Sequence, residues 1–75
     1  MAAHDRIEMN VEVMLGKPVI RNTRVTVEQV LRECAAGQTA EDIAQQYPRI
    51  TPEDVRAALA FAADYLGREV AVAAE

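Results

Sequence analysis

The sequence has 75 residues, a formal net charge of −4 and a single cysteine. That length is one domain, and at this size folding buries only about 60% of the surface the unfolded chain exposes, so oligomerisation is a common remedy. One cysteine excludes an internal disulfide framework and suits a reducing cytosol. No apolar run approaches the ~20 residues of a membrane span, and Met1 to Arg6 lack the charged-then-apolar pattern of a signal peptide; a cytoplasmic location is expected. Net acidity argues against a general polyanion binder. The charge is uneven, however. Residues 1–32 carry Arg6, Lys17, Arg21, Arg24 and Arg32 against Asp5, Glu8, Glu12 and Glu28. Residues 33–75 carry Arg49, Arg56 and Arg68 against a larger set of carboxylates, so any nucleic-acid contact would come from the front.

Residues 1–5 are expected to be loose. From Arg6 to Val13, Ile7, Met9, Val11 and Val13 alternate with Arg6, Glu8, Asn10 and Glu12, which is the period of a half-buried strand. Gly16 and Pro18 punctuate the next stretch. Val19, Ile20 and Val25 then flank the polar centre Arg21, Asn22, Thr23 and Arg24, which predicts a tight hairpin or extended arm. Asn22 suits a left-handed turn position. Pro18 cannot donate to a ladder, which places this strand at an edge.

Thr26 caps a predicted helix that runs to about Ala36 and ends at Gly37, with Val27, Val30, Leu31, Cys34 and Ala35 as its inner stripe. Thr39 caps a shorter one, with Glu41 and Asp42 in its first turn and Ala40, Ile43, Ala44 and Tyr47 facing inward; Pro48 stops it. Ile50 can staple down onto the helix it precedes. The third helix is the most strongly specified. Thr51 caps it, Pro52 fits the first position, and Glu53 and Asp54 meet the positive end of the dipole. Val55, Ala58, Leu59, Ala62, Tyr65 and Leu66 form its stripe, and Gly67 is the expected stop. The reading is a single domain over 1–75, mainly α with a small N-terminal β arm. The arm spans 6–25, a three-helix unit of helix-turn-helix geometry spans 26–66, and a tail over 67–75 frays, extends the helix or adds a strand to a partner.

Lys17, Arg21, Thr23 and Arg24 are the candidate contact residues of the arm. Doubled in a two-fold dimer, their charges straddle phosphates. The plainer reading makes Arg24 a structural ion pair with an acidic helix start and leaves the others solvated. The third helix is not expected to read bases, because Glu53 and Asp64 share its outer face with Ala60 and a single arginine, Arg56. Phe61, near Ala57 and Tyr65, widens the apolar arc of that helix. Either the β arm covers it or it anchors a homodimer. Cys34 reads as a buried, inert thiol. His4 sits in the expected loose terminus, and without a second histidine no transition-metal site of the usual kind forms within one chain. The pairs Glu41–Asp42 and Glu53–Asp54 are explained by capping and dipole effects. No phosphate-cradling loop, nucleophile with a base, or large pocket is expected, so neither an enzyme, a cofactor nor a small-molecule substrate is expected.

The segments Gly16 to Ile20, Asn22 to Val25, Gly37, Tyr47–Pro48 and Thr51 to Ala62 recur in the order and spacing of a prokaryotic family, domain of unknown function 433, which this chain resembles over about residues 6–66. Two positions depart from its pattern: Asn22 stands where glycine is usual, and Val13, Met14 and Leu15 replace a glycine-rich entry. The resemblance implies a homeodomain-like or winged helix-turn-helix fold, self-association, and pairing with small PIN-like ribonuclease toxins. A type II antitoxin is the function it implies, with repression of its own operon by DNA binding as a second activity. Under that reading toxin contact falls either to the arm, through Lys17, Arg21, Thr23 and Arg24, or to the tail, through Val70, Val72 and Glu75. The arginines would pair with acidic metal ligands of the nuclease. The alternatives are a dimeric DNA-binding regulator without a toxin, whose binding falls steeply with salt, and a dimeric adaptor.

Overall fold

The first amides of a helix have no acceptor within it, and three threonines supply one here. The computed structural model describes residues 4–74, with side chains described for 4–68. Thr26 Oγ1 accepts from Gln29 N at 2.9 Å and opens α1 (Val27–Ala35). Thr39 and Asp42 form a reciprocal capping box, each backbone amide donating to the other side chain at 3.0 Å, and open α2 (Ala40–Gln46). Thr51 and Asp54 repeat the device at 3.0 and 3.2 Å at the start of α3 (Pro52–Ala74). At the far end of α1, Gly37 takes φ +101°. Its amide donates to the Cys34 carbonyl at 3.0 Å and the Gln38 amide to the Glu33 carbonyl at 3.1 Å, the paired bonds of a Schellman stop.

The arm is shorter than its alternation predicts. β1 (Ile7–Glu8) pairs antiparallel with β2 (Val19–Ile20), with Ile7 opposite Ile20 and Glu8 opposite Val19. The strand expected to reach Val13 breaks at Asn10. Asn10 Oδ1 accepts from Glu12 N at 2.9 Å and its carbonyl from Val13 N at 2.8 Å, so the asparagine closes a turn in place of a ladder. Met9 and Val11 are therefore left 63% and 77% exposed. Beyond the turn, Met14, Leu15 and Gly16 take φ of +51°, +60° and +86° in succession. For the two with side chains that conformation costs on the order of 1–2 kcal/mol each.

The core lies between the sheet and the helices. Ile7 and Ile20 from the strands meet Val27 and Val30 of α1, Ile43 of α2, Ile50, and Val55, Ala58 and Ala62 of α3. Fully burying a branched side chain such as Ile20, Ile43, Val30 or Val55 stabilises the fold by roughly 1.5–3 kcal/mol. Ile50 is buried against α3, as a staple requires. Among the described residues, Ala62 is the last core residue of α3. Tyr65 and Leu66, expected in its stripe, are both 55% exposed. Nor does Gly67 stop the helix, which is assigned through Ala74. A helix of 23 residues is about 35 Å long, which accounts for most of the 42 Å long axis of the molecule.

Two polar groups are buried where the sequence offered no sign of it. Glu33, outside the predicted stripe of α1, is buried, while Leu31 and Ala35 of that stripe are exposed. Its Oε2 accepts from the Tyr47 hydroxyl at 2.6 Å and from Gln29 Nε2 at 2.8 Å, so partners from α1 and the end of α2 draw it inward. These donors, Gln29 first and then Tyr47, hold its carboxyl below the ordinary range. The same bond pushes the Tyr47 phenol up. Asp54 is the second. Beyond its capping role, its Oδ1 accepts from Arg6 Nη1 at 2.7 Å, tying the chain before β1 to the start of α3. Burial pushes this carboxyl up, but the Thr51 amide, Arg6 and the Thr51 hydroxyl outweigh it and hold it below the usual value.

The N-terminal segment is also better anchored than expected at His4. Its Nε2 lies 2.9 Å from Asp64 Oδ2, and its ring meets Phe61 edge-on at 5.3 Å. The protein is thus mainly helical, three helices with a two-stranded antiparallel sheet ahead of them, in a small helix-turn-helix-like fold.

Candidate functional site

The hairpin turn after β2 is built by Thr23 and Asn22. The Thr23 amide and hydroxyl both donate to the Ile20 carbonyl, at 3.0 and 2.7 Å, and the hydroxyl accepts from Val25 N at 3.0 Å. Ile20 N donates to Val25 O at 2.9 Å and closes the loop. Asn22 takes φ +66°, the left-handed value its side chain tolerates. Thr23 is accordingly occupied within the turn.

The other arm cations separate into paired and unpaired. Lys17 Nζ lies 3.1 Å from Glu28, which Arg32 also contacts at 2.8 Å; Arg32 and then Lys17 hold the Glu28 carboxyl low. Arg21 pairs with Glu8 at 3.2 Å and donates through Nε to the Asp5 carbonyl at 2.6 Å, next to β1. Its Nη2 approaches the Ile7 carbonyl at 3.5 Å, so Arg21 blunts the free edge of the small sheet. Arg24 is exposed and, among the described residues, has no carboxylate within 4.0 Å. The structural ion pair with an acidic helix start, expected of Arg24 on the plainer reading, belongs instead to Arg6 and Asp54.

Arg24 has a companion that the sequence did not mark. Arg49 sits at the tip of the α2–α3 connection, where Ile50 N donates to the Tyr47 carbonyl at 2.9 Å and Pro48 fixes the bend. Its Nη1 donates to the Asn22 carbonyl at 3.3 Å, which links the two turns. It too has no carboxylate within 4.0 Å among the described residues. Its one sequence signal was a basic residue between a helix-stopping proline and the next helix cap.

Between the two turns lies an open hollow of about 520 Å³, larger than a chain of this size suggested. Arg24, Arg49, Asn22 and Thr23 supply its polar lining with Glu8, and Val13, Val25, Tyr47, Pro48 and Ile50 its apolar lining. A second hollow of about 450 Å³ shares Asn22, Thr23 and Arg49 and continues to Arg6, Arg21, Asp5 and Asp54. Arg49 therefore stands on the ridge between them. A lining that joins apolar side chains to two guanidiniums without a carboxylate partner among the described residues suits a carboxylate that brings apolar surface with it.

The remaining candidates lie elsewhere. Ala57 and Phe61 are half-buried on α3 and Tyr65 is exposed, with the Phe61 and Tyr65 rings stacked 6.2 Å apart. Within the chain Phe61 packs against the core cluster and meets the His4 ring edge-on. Arg56, on the outer face of α3, pairs with Glu41 at 2.9 Å. Cys34 is a free thiol, half-buried against the core. The side chains of Val70, Val72 and Glu75 lie outside the described residues. Among the described residues no group of three His, Cys, Asp or Glu is placed to hold a metal, and no helix is long and apolar enough to cross a membrane.

Comparison with known proteins agrees with the motif order. The uncharacterized protein y4eO of Sinorhizobium fredii (strain NBRC 101917 / NGR234) is 33% identical over 61 residues, which cover 81% of this chain and 28% of that protein's length. The chain thus spans under a third of the curated relative it matches. No solved structure matches it significantly. The model of the family described as "Protein of unknown function (DUF433)" matches residues 7–62, and the chain belongs to that family.

Proposed function

We propose that the protein is an antitoxin-type inhibitor that binds a small PIN-like ribonuclease, and that Arg24 and Arg49 pair with the acidic groups of the nuclease. The observation that carries this reading is the pair itself. Two guanidiniums on separate turns share one concave surface and, among the described residues, no carboxylate lies within 4.0 Å of either. Bidentate pairing with a carboxylate is the chemistry a guanidinium performs best. A PIN-like nuclease offers such groups where it binds its metal.

Operator binding receives less support. Two of the arm's cations, Lys17 and Arg21, are paired with Glu28 and Glu8, and the outer face of α3 carries Glu53 and Asp64. A phosphate-binding stripe needs several free cations in a row. The exposed Tyr65 and Leu66 on α3 support a homodimer as the form that meets the nuclease.

The test is co-expression with the product of the adjacent gene, capture of the tagged protein, and light scattering of the eluate. A complex of fixed stoichiometry that silences the ribonuclease is the expected result. A lone dimer that binds its promoter with a steep salt dependence would replace this reading with that of a DNA-binding regulator.

A further inference from the structure

The loop between the two strands turns its apolar side chains to solvent. Leu15 is 89% exposed, Val11 77% and Met14 38%. The backbone enforces this presentation, with Met14 and Leu15 both held at positive φ, a conformation bulky residues seldom adopt. A chain that merely needed to turn here would use glycine or asparagine. Strain and exposure in one short loop are an arrangement seen where a partner completes the packing.

The loop also borders the arginine surface. Val13 lines the hollow that holds Arg24 and Arg49. Met14 lines a smaller one beside Arg24 and Tyr47. We infer that Val11, Met14 and Leu15 form an apolar anchor that enters a pocket on a partner protein, next to the carboxylates that Arg24 and Arg49 engage. An aliphatic anchor beside arginines has the make-up of an interface hot spot. The occupant is a partner that brings its own carboxylates rather than a second copy, because Glu8, the carboxylate that lines the hollow with Arg24 and Arg49, is already paired with Arg21. Nor is it a phosphate backbone, which gains nothing from three exposed aliphatic side chains.

This inference rests on the proposed function and deepens it, and one experiment separates their failures. The purified product of the adjacent gene and a duplex of the upstream promoter are each titrated with the wild type, with Leu15→Asn and with Val11→Ser. Asparagine tolerates the left-handed position, and Val11 lies outside the core, so Val11→Ser serves if the first variant folds poorly. The expected result is an unfolding midpoint for Leu15→Asn at or above that of the wild type, with at least a tenfold loss of affinity for the protein probe in both variants. Equal affinity in wild type and variants overturns the anchor and leaves the proposed function standing. No wild-type affinity for the protein probe, or affinity for the duplex alone, overturns both.

Discussion

Replacing Asp54 by alanine removes the two hydrogen bonds its carboxylate accepts, from the Thr51 amide at 3.0 Å and from Arg6 at 2.7 Å. Loss of the capping half costs about 1 kcal/mol. The charged bond to Arg6 would be worth roughly 1.5–3 kcal/mol if buried on both sides. The Arg6 side chain is 53% exposed and regains water, so about 1 kcal/mol is the better figure. The sum is about 2 kcal/mol, against a total of roughly 4–11 kcal/mol for a chain of this length. At about 4–8 °C per kcal/mol, Asp54→Ala lowers the midpoint by about 8–16 °C. Asp54→Asn keeps an acceptor for Thr51 and loses only the charge, costing about half as much. The native carboxyl lies below its ordinary value of 3.8, so its stabilisation is present above that pH and is lost as acid protonates the folded state. The gap between wild type and Asp54→Asn should therefore be full at pH 7 and close only as pH falls below the ordinary 3.8. Urea unfolding followed by circular dichroism measures both. An Asp54→Ala midpoint within experimental error of the wild type would refute the claim that Arg6 and Asp54 bind the N-terminal segment to α3.

Tyr47→Phe leaves Glu33 with one donor fewer and should cost about 1 kcal/mol at neutral pH. Glu33 titrates below its ordinary 4.5 and Tyr47 above its ordinary 10.0, so the cost should fade both as pH falls below the first value and as it rises beyond the second; a cost independent of pH in urea titrations would contradict the Glu33–Tyr47 bond. One substitution should act with opposite signs at two glycines. Gly37→Ala strains a residue at φ +101° and should destabilise by about 1 kcal/mol, whereas Gly67 lies inside α3 with open space for 4 Å around the position a methyl would take, so Gly67→Ala should stabilise by up to about 1 kcal/mol. Thermal melts of the two variants decide it.

Local chemistry was legible and distant chemistry was not. The starts of all three helices could be read because Thr26, Thr39 and Thr51 each bond an amide three residues on. Asn22 announced its left-handed turn because asparagine tolerates a positive φ better than other residues with a side chain. The chain's alternation over 6–13 misled, because Asn10 satisfies its neighbours' amides locally and ends the ladder. Gly67 misled in another way: glycine lowers helix propensity but halts a helix only where a left-handed stop follows. Arg6 with Asp54, His4 with Asp64 and Arg49 with Asn22 join residues 48, 60 and 27 positions apart, beyond any spacing rule. At the site itself, Arg24 stood out as a motif residue. Arg49 became visible only when the fold laid the α2–α3 turn beside the hairpin.

On the proposed reading, Arg24 and Arg49 form one protein-binding surface. Calorimetric titration of the adjacent gene's purified product into wild type, Arg24→Ala, Arg49→Ala and the double variant decides whether they do. Neither arginine has a carboxylate within 4.0 Å among the described residues, and the bond that Arg49 gives the Asn22 carbonyl is exposed and 3.3 Å long, so the folded state should change by less than about 0.5 kcal/mol in each. An arginine lost from a buried pair with a carboxylate costs about 2 kcal/mol or more, ~30-fold in Kd. Each single variant should show that loss, with an unfolding curve that overlays the wild type. Binding that survives in the double variant at wild-type affinity would contradict the claim.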